Sequence, residues 1–340
     1  MSAETAGRSR FGGFVGRLKV DRYLLLIVSM VIAASFAPAR GQAAHVFDWT
    51  TKLAIGLVFF LHGARLSREA VIGGLTHWRL HLVVMASTFV LFPLLCLGLA
   101  ALPGWITPPA LASGLIFLGC LPSTIQSSIG FTVIARGDVP AAVASASASN
   151  LIGMFLTPLL VSLLLHAQGG ISSGQIWSIV LQLLAPFIAG QMLRRWIGPW
   201  VKERAKMLSY IDRGSILLVV YTAFSGAVVE GVWSRISAVD LIHLFVLCGL
   251  LLAVVLAATA YAARALGFTK ADEIAIVFCG SKKSLASGAP MAGVLFPHAA
   301  AGVALLPLML FHQIQLMACA VIAQAYARRA EVETEQVAAR

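Results

Sequence analysis

Ten apolar stretches, separated by short polar connections, run through the 340-residue chain. A helix of about 20 apolar residues is long enough to cross a lipid bilayer. The predicted spans are residues 23–38, 53–66, 81–102, 110–135, 139–165, 176–192, 214–232, 241–265, 272–295 and 300–325. The second span is short and continues into residues 67–80, which we interpret as an amphipathic connector. Only 11% of the residues are charged, against about 25% in soluble domains, so the sequence predicts an all-α polytopic membrane protein in the lipid bilayer.

The basic residues are concentrated in alternate connections along the chain. Apart from Lys282 and Lys283, twenty lysine and arginine residues lie on one side of the predicted membrane and three on the other. Basic loops stay in the cytoplasm, so both termini are predicted to be cytoplasmic, in a multi-pass protein of the plasma (inner) membrane. A net charge of +11 would suggest nucleic acid as the partner of a soluble protein. Here the basic loops face anionic lipid, so no nucleic acid partner is expected.

The ten spans divide into two groups of five at the connection 166–175. Because each group has an odd number, the second lies upside down relative to the first, as in an inverted-topology repeat. Small residues at 37–39 leave the alternative of a cleaved signal peptide, which would leave nine spans and break the repeat. The predicted organisation is a cytoplasmic N-terminal tail (1–22), a first five-helix repeat (23–165), a second five-helix repeat (176–327) with a cytoplasmic loop at 194–213, and a cytoplasmic C-terminal tail (328–340).

The fourth span of each half contains residues that weaken a membrane helix. Residues 119–130 hold a proline and a run of short polar side chains, and residues 277–290 hold Gly280, Gly288 and Pro290 around two lysines. An interrupted membrane helix is tolerated only where its backbone faces protein or a water-filled cavity. Such helices form the binding sites of many transporters, so we expect the two interruptions to cross and form a site. The candidate site residues are Ser123, Thr124, Gln126, Ser127, Ser128, Asn150, Ser281, Lys282, Lys283, Ser284 and Ser287.

The two adjacent lysines lie in the middle of the ninth span. A charge at that depth costs about 2.5–3.5 kcal/mol on insertion scales. The alternative, a lysine that snorkels to the interface, requires a position near a helix end. Lys282 lies about ten residues or more from both ends of the span, at about 1.5 Å per residue. Because adjacent helical residues point about 100° apart, we expect one lysine to serve the structure and the other the substrate.

For the serines, the alternative is close helix packing with hydroxyl groups bonded across to a neighbouring helix. This interpretation fits Ser145, Ser147 and Ser149 of the fifth span, which alternate with alanine. The five cysteines all lie in apolar segments and are odd in number, so we interpret them as packing residues rather than disulfides. The polar clusters contain no evident nucleophile–base–acid set and no metal-ligand spacing, so neither enzyme activity nor a cofactor or metal is predicted.

Three motifs resemble the bile acid:sodium symporter family, and they are most similar to its SBF-like, YfeH-like branch, which includes the member-seven proteins of solute carrier family ten. They are Gly-Cys-Leu-Pro-Ser-Thr-Ile-Gln-Ser-Ser at 119–128, Ala-Arg-Gly-Asp at 135–138 and Cys-Gly-Ser-Lys-Lys-Ser-Leu-Ala-Ser-Gly at 279–288. The resemblance covers nearly the whole chain. It implies ten helices in two inverted five-helix repeats, with a core domain in which discontinuous helices four and nine cross and a smaller panel domain.

The same resemblance shows a departure in the ninth span. Sodium-coupled relatives carry an acidic residue and a Gln-Asn pair there, and these positions fall on Phe278, Lys282 and Lys283. None of the three is a plausible sodium ligand.

Taken with the interrupted spans, the resemblance predicts a secondary active transporter, a symporter of a small organic anion that works by alternating access. One lysine would bind the anion or take the place of a sodium charge.

Two further questions stay open at the level of the sequence. The coupling ion is Na+ or H+, and the oligomeric state is not predicted. The resemblance to eukaryotic relatives also suggests an alternative function, a membrane regulator of calcium entry that carries no organic anion itself. Reconstituted flux would separate the two, because a regulator should show none.

Overall fold

A computed structural model describes residues 22–65, 77–166 and 173–338. Within these ranges the regular structure is entirely helical. The helices are α1 (Arg22–Phe36), α2 (Gly41–Arg65), α3 (Trp78–Ala100), α4 (Pro109–Cys120), α5 (Gln126–Ile134), α6 (Val139–His166), α7 (Ser173–Glu203), α8 (Ala205–Val229), α9 (Ala238–Ala265), α10 (Lys270–Gly280), α11 (Leu285–Leu295) and α12 (His298–Ala338). A π-helical turn, Ser87–Leu91, lies inside α3, and a 3-10 turn, Val232–Arg235, precedes α9.

Six of the described helices are long and apolar enough to cross a membrane, namely α2, α3, α6, α8, α9 and α12. Large apolar side chains on their outer surfaces are exposed, and Leu53, Leu82 and Leu163 are each at least 60% exposed. Exposed apolar surface of this extent is stable when lipid covers it. The chain is a multi-pass membrane protein, and the predicted all-α polytopic class is confirmed.

Two predicted connections are helical in the structure. α2 begins at Gly41, well before the predicted start at residue 53, and Lys52 and Asp48 form an i,i+4 ion pair at 2.8 Å inside it. The predicted connection 194–213 is largely helical, since α7 and α8 cover it except for Arg204. Arginine and lysine are good helix formers, so a segment rich in them can stay helical beyond its apolar part. For the same reason α12 continues to residue 338, through most of the predicted polar tail.

Several predictions fall on parts of the chain that the structure does not describe. They concern the N-terminal tail up to residue 21, most of the connector 67–80, the central part of the connection 166–175 and the last two residues. Of the connector, the described part is residues 77–80, which lead into and begin α3.

The helices pack into two groups. In the first group, α2 and α7 approach so closely that a Cβ atom at Gly63 would collide with the Phe187 carbonyl, and one at Gly190 with the Phe60 carbonyl. α8 packs on α1 and α2 and completes this group. The second group contains α3 to α6 and α9 to α12. α8 also packs on α11 and α12, so one helix of the first group provides much of the contact between them.

The fourth and ninth predicted spans are each broken into two helices. The chain is non-helical at 121–125, between α4 and α5, and at 281–284, between α10 and α11, so the predicted interruptions are confirmed. The prediction that Gly288 and Pro290 weaken the helix is wrong, because both lie inside α11. Gly288 instead leaves room for neighbouring side chains, since a Cβ there would lie 2.6 Å from a Cδ atom of Leu308 and 2.7 Å from one of Leu121.

Candidate functional site

Six consecutive backbone carbonyls, 118–123, lie at the end of α4 and in the break that follows, and each one is hydrogen bonded. Pro122 supplies no N–H, so the carbonyl of residue 118 lacks its usual helical donor four residues later. Buried carbonyls need donors, and several come from outside the segment. In chain order the donors are the backbone N–H of Leu121 to Leu118, the Lys283 ammonium to Gly119, the Thr157 hydroxyl to Cys120, the Lys283 ammonium to Leu121, the backbone N–H of Ser284 to Pro122, and the Asn150 amide to Ser123.

The last carbonyls of α10 are paired in the same way, by serine hydroxyls. Ser128 donates to Phe278 O at 2.9 Å, and Ser123 donates to Cys279 O at 2.6 Å. Ser87, in the π-helical turn of α3, donates to the carbonyl of residue 280 at 2.8 Å. Two of the predicted site serines therefore join the two breaks to each other, with their hydroxyls engaged on backbone.

Lys283 is fully buried, and three backbone carbonyls surround its ammonium. The Nζ donates to Thr88 O at 2.8 Å, to Gly119 O at 2.7 Å and to Leu121 O at 2.6 Å. It also lies 4.2 Å from the centre of the Phe92 ring. Two of these carbonyls are at the C-terminal end of α4, where the helix dipole favours a positive charge. All three donors of this ammonium are satisfied without a carboxylate.

The carbonyl of Thr88 is available to Lys283 because of the π-helical turn. In the π pattern the N–H of Phe92 bonds to the carbonyl of Ser87, five residues earlier. The corresponding donor for Thr88 would be Pro93, which has no N–H. The free carbonyl faces the break and accepts from Lys283 at 2.8 Å. π-helical turns in membrane and soluble helices frequently mark functional sites.

Gln315 of α12 clamps the backbone of Lys283. Its Oε1 accepts from the Lys283 N–H and its Nε2 donates to the Lys283 carbonyl, each at 2.9 Å. His312 lies one turn earlier, with Nδ1 at 2.8 Å from Gln315 Nε2 and 3.3 Å from the same carbonyl. A non-helical residue inside a membrane protein thus has both of its backbone groups paired.

Lys282 is also fully buried but has a different environment. Its Nζ makes a single hydrogen bond, to Ser127 O at 3.3 Å. The ammonium lies 3.7 Å from the centre of the Phe131 ring and 5.5 Å from that of Phe278. Cation–π contacts stabilise a desolvated cation, but they supply no directed acceptor for its N–H groups. The sequence did not distinguish the two lysines, whereas the structure separates them by their partners.

A third polar group joins α6 to the N-terminus of α11. Asn150 donates to Ser123 O at 2.6 Å and accepts from the Ser287 hydroxyl at 2.7 Å. Ser284 caps α11, because its hydroxyl accepts from the backbone N–H of Ser287 at 3.1 Å. Asn150 therefore links the break between α4 and α5 to the first turn of α11.

The remaining candidate residues are not all brought together. The hydroxyls of Thr124, Ser127 and Ser128 form a small group in the first turn before and within α5. Ser281 is fully buried beside Cys319 of α12. Gln126 differs from the others because it is exposed, at the first position of α5.

Neither lysine at the crossing has a carboxylate partner within the described part of the chain. Ion pairs in that part include Lys52–Asp48, Arg65–Asp212, and the pairs of Arg264 and Lys270 with Glu273. The crossing therefore combines two buried lysines with the N-termini of α5 and α11, whose dipoles are also positive. All these features favour an anion over a free cation.

The alternating serines of α6 and the cysteines behave as the packing interpretation predicts. Ser145 bonds to His81 Nδ1 of α3 at 2.6 Å, and Ser149 accepts from the backbone N–H of Ser123 at 3.0 Å. All five cysteines are buried and free. Sequence reasoning missed the carbonyl of Thr88 and the side chains of Phe92 and Phe131. Pro93, at the end of an apolar stretch, was the available signal for the first of them.

These features define a helical membrane protein in which two broken helices contact each other at their breaks and hold buried positive charges, an arrangement found in transporters. The sequence model of the SBF-like CPA transporter family matches residues 21–328. The chain belongs to this family.

Its relatives cover nearly the whole length of the chain. It is 59% identical over 315 residues to an uncharacterized protein of Pseudomonas aeruginosa, covering 92% of this chain and 95% of the other. It is 53% identical over 317 residues to the "Putative symporter YfeH" of Escherichia coli, with 92% and 94% covered. It is 28% identical over 320 residues to the sodium/bile acid cotransporter 7-B of Xenopus laevis, with 90% and 91% covered.

Proposed function

We propose that the chain is a secondary active transporter that carries a small organic anion across the plasma (inner) membrane by alternating access. The observation that carries this proposal is the crossing itself, where two buried lysines and two half-helix N-termini meet without a carboxylate partner among the described residues. A site of this charge recognises an anion, and a break in two helices allows backbone groups to contact it.

The proposed topology has ten spans in two inverted five-helix repeats, residues 23–165 and 176–327, with both termini in the cytoplasm. The broken pairs α4/α5 and α10/α11 each take the fourth place in their half. In this arrangement α1, α2, α7 and α8 form the panel domain, and the other helices form the core domain. The basic connections then place the free ends of α5 and α10 on the cytoplasmic side.

The packing of the helices supports an inward-open conformation. α5 packs on α6, α10 and α12, whereas the panel helices α2, α7 and α8 pack on α11. Panel and core thus contact each other around the outer half of the crossing. The exposed Gln126, at the first position of α5, marks the side from which an anion would enter.

Lys283 takes the position of a coupling cation in this proposal. Its ammonium is surrounded by three backbone carbonyls at 2.6–2.8 Å, which is the kind of oxygen environment that broken helices offer to Na+. The names of the Xenopus relatives include sodium. This chain has phenylalanine and lysines where the resemblance places sodium ligands, so transport should proceed without sodium.

The test is uptake into proteoliposomes that contain the purified protein. A panel of radiolabelled organic anions, including bile acids and dicarboxylates, is compared with sodium and with choline outside, at fixed pH. We expect at least one anion to be taken up equally in both media. Flux that disappears in choline would contradict the replacement of sodium by Lys283. Absence of flux for every anion tested would favour the regulator of calcium entry.

A further inference from the structure

The two adjacent lysines hold their ammonium groups in unequal ways. Lys283 donates to three carbonyls at 2.8 Å or less, so each of its N–H groups has an acceptor. Lys282 has one acceptor, Ser127 O at 3.3 Å, and otherwise faces aromatic rings. Removing a proton from Lys283 would break an arrangement of three strong hydrogen bonds. Removing one from Lys282 would cost one long hydrogen bond and a cation–π contact.

The groups around Lys282 supply no negative charge. α5 contributes Ser127 O and the Phe131 ring, α10 contributes Phe278 and Cys279, and α12 contributes Cys319. The titratable groups among them are the two cysteines. The thiol of Cys279 is a hydrogen-bond donor, to Ala142 O at 3.6 Å. A neutral amine is compatible with such a surrounding, because it avoids the loss of hydration that an isolated buried charge suffers.

We infer that Lys282 is the proton-binding residue of the transport cycle, whereas Lys283 remains an ammonium throughout. Lys282 gives its proton to water on the side of Gln126 and keeps the nitrogen lone pair as a neutral amine, and it takes a proton back when an anion binds. The inference rests on the proposed function and deepens it, because it makes the proton the coupling ion.

The position of Lys282 suits this task. Its hydrogen-bond acceptor, Ser127 O, is next in the chain to the exposed Gln126, so water that reaches Gln126 comes within one residue of the backbone that holds the ammonium. A bound anion stabilises the protonated form, and by linkage protonation raises the affinity for the anion by the same factor. A proton and an anion would then cross together.

The direct test observes the nitrogen atoms. The chain has seven lysines, so protein labelled with 15N at Nζ and reconstituted in liposomes gives a simple solid-state NMR spectrum. Between about pH 6 and about pH 10, we expect one resonance to move from the ammonium to the neutral amine position, and this resonance to be absent from Lys282→Arg. The Lys283 resonance, identified by its loss in Lys283→Arg, should keep its ammonium position. Lys202→Met, on the exposed surface of α7, is the control for folding and assignment.

Transport supplies an independent readout. With an anion that the flux screen identifies, an inward proton gradient should accelerate uptake by wild type several-fold, and Lys282→Arg should lose that acceleration. A Lys282 resonance that stays at the ammonium position through pH 10 would overturn the inference even if anion flux is present. Absence of flux for all anions, with a titrating Lys282, would contradict the transport function and leave the protonation result standing.

Discussion

Replacing Lys283 by methionine should destabilise the protein much more than the same replacement of Lys282. Methionine has a similar length but donates no hydrogen bond, so Lys283→Met leaves the carbonyls of Thr88, Gly119 and Leu121 buried without these donors. Each unsatisfied buried group costs about 1–3 kcal/mol, which gives about 3–9 kcal/mol before the relief from desolvating a charge is subtracted.

Lys282→Met removes one hydrogen bond of 3.3 Å and a cation–π contact with Phe131. Together these are worth about 1–2 kcal/mol, and the variant no longer buries an ammonium. Its free energy of unfolding should therefore lie close to that of wild type. The two variants change charge and volume in the same way at neighbouring positions, so each controls for the other.

Thermal unfolding in detergent is followed with a thiol-reactive fluorescent dye, which reports unfolding because all five cysteines are buried. We expect a clear decrease in the unfolding temperature of Lys283→Met and a small change in that of Lys282→Met. Equal decreases for both variants would refute the distinction between a coordinated and an uncoordinated lysine. An unfolding temperature of Lys283→Met equal to that of wild type would show that the three carbonyls find other donors, and would contradict this reasoning about Lys283.

Two further predictions concern the panel and the crossing. Gly190→Ala should separate α2 from α7 and lower the unfolding temperature, because its Cβ would collide with the backbone of Phe60. Gly56→Ala on α2 meets open space and should leave the unfolding temperature unchanged or raise it, so equal unfolding temperatures for the two variants would contradict this prediction. Gln126→Ala should reduce anion uptake with little change in unfolding temperature, because its side chain is exposed. Ser128→Ala should reduce both uptake and stability, since it loses the hydrogen bond to Phe278 O, and Ser147→Ala is the matched control for both variants.

The breaks were predictable because a proline or a charged residue inside an apolar membrane span must be placed where protein or water, and not lipid, surrounds it. Pro122 and the two lysines are visible in the sequence, and each forces backbone or ammonium groups to find partners away from lipid. The partners themselves were not predictable. The carbonyl of Thr88 becomes available only because a π-helical turn aligns it with Pro93, and it meets Lys283 from 195 residues away.

The assignment of tasks within the site was likewise beyond the sequence. Ser123 and Ser128 looked like ligands for a substrate, but their hydroxyls donate to carbonyls of α10. Periodicity gives the direction of a side chain only along a regular helix, and Lys282 and Lys283 lie in the non-helical segment 281–284. Helix boundaries in polar regions were also missed, since Lys52 and Asp48, which form an ion pair, both lie inside α2.

A tethered ammonium and a free sodium ion differ in one consequence for a transport cycle. A sodium ion leaves with the substrate, so the emptied site loses that charge before it returns across the membrane. On the present proposal Lys283 stays on its three carbonyls, and the site keeps its positive charge. Moving one charge through the membrane potential is worth about 2.3 kcal/mol per 100 mV. Without a second titrating group, the membrane potential would therefore act on the same positive charge in the loaded site and in the empty site. If Lys282 releases its proton when the anion leaves and takes one up when an anion binds, the empty site carries one positive charge fewer than the loaded site. The neighbouring lysines thereby divide two tasks that a single sodium ion can perform, holding the broken helices together and linking the anion to an ion gradient.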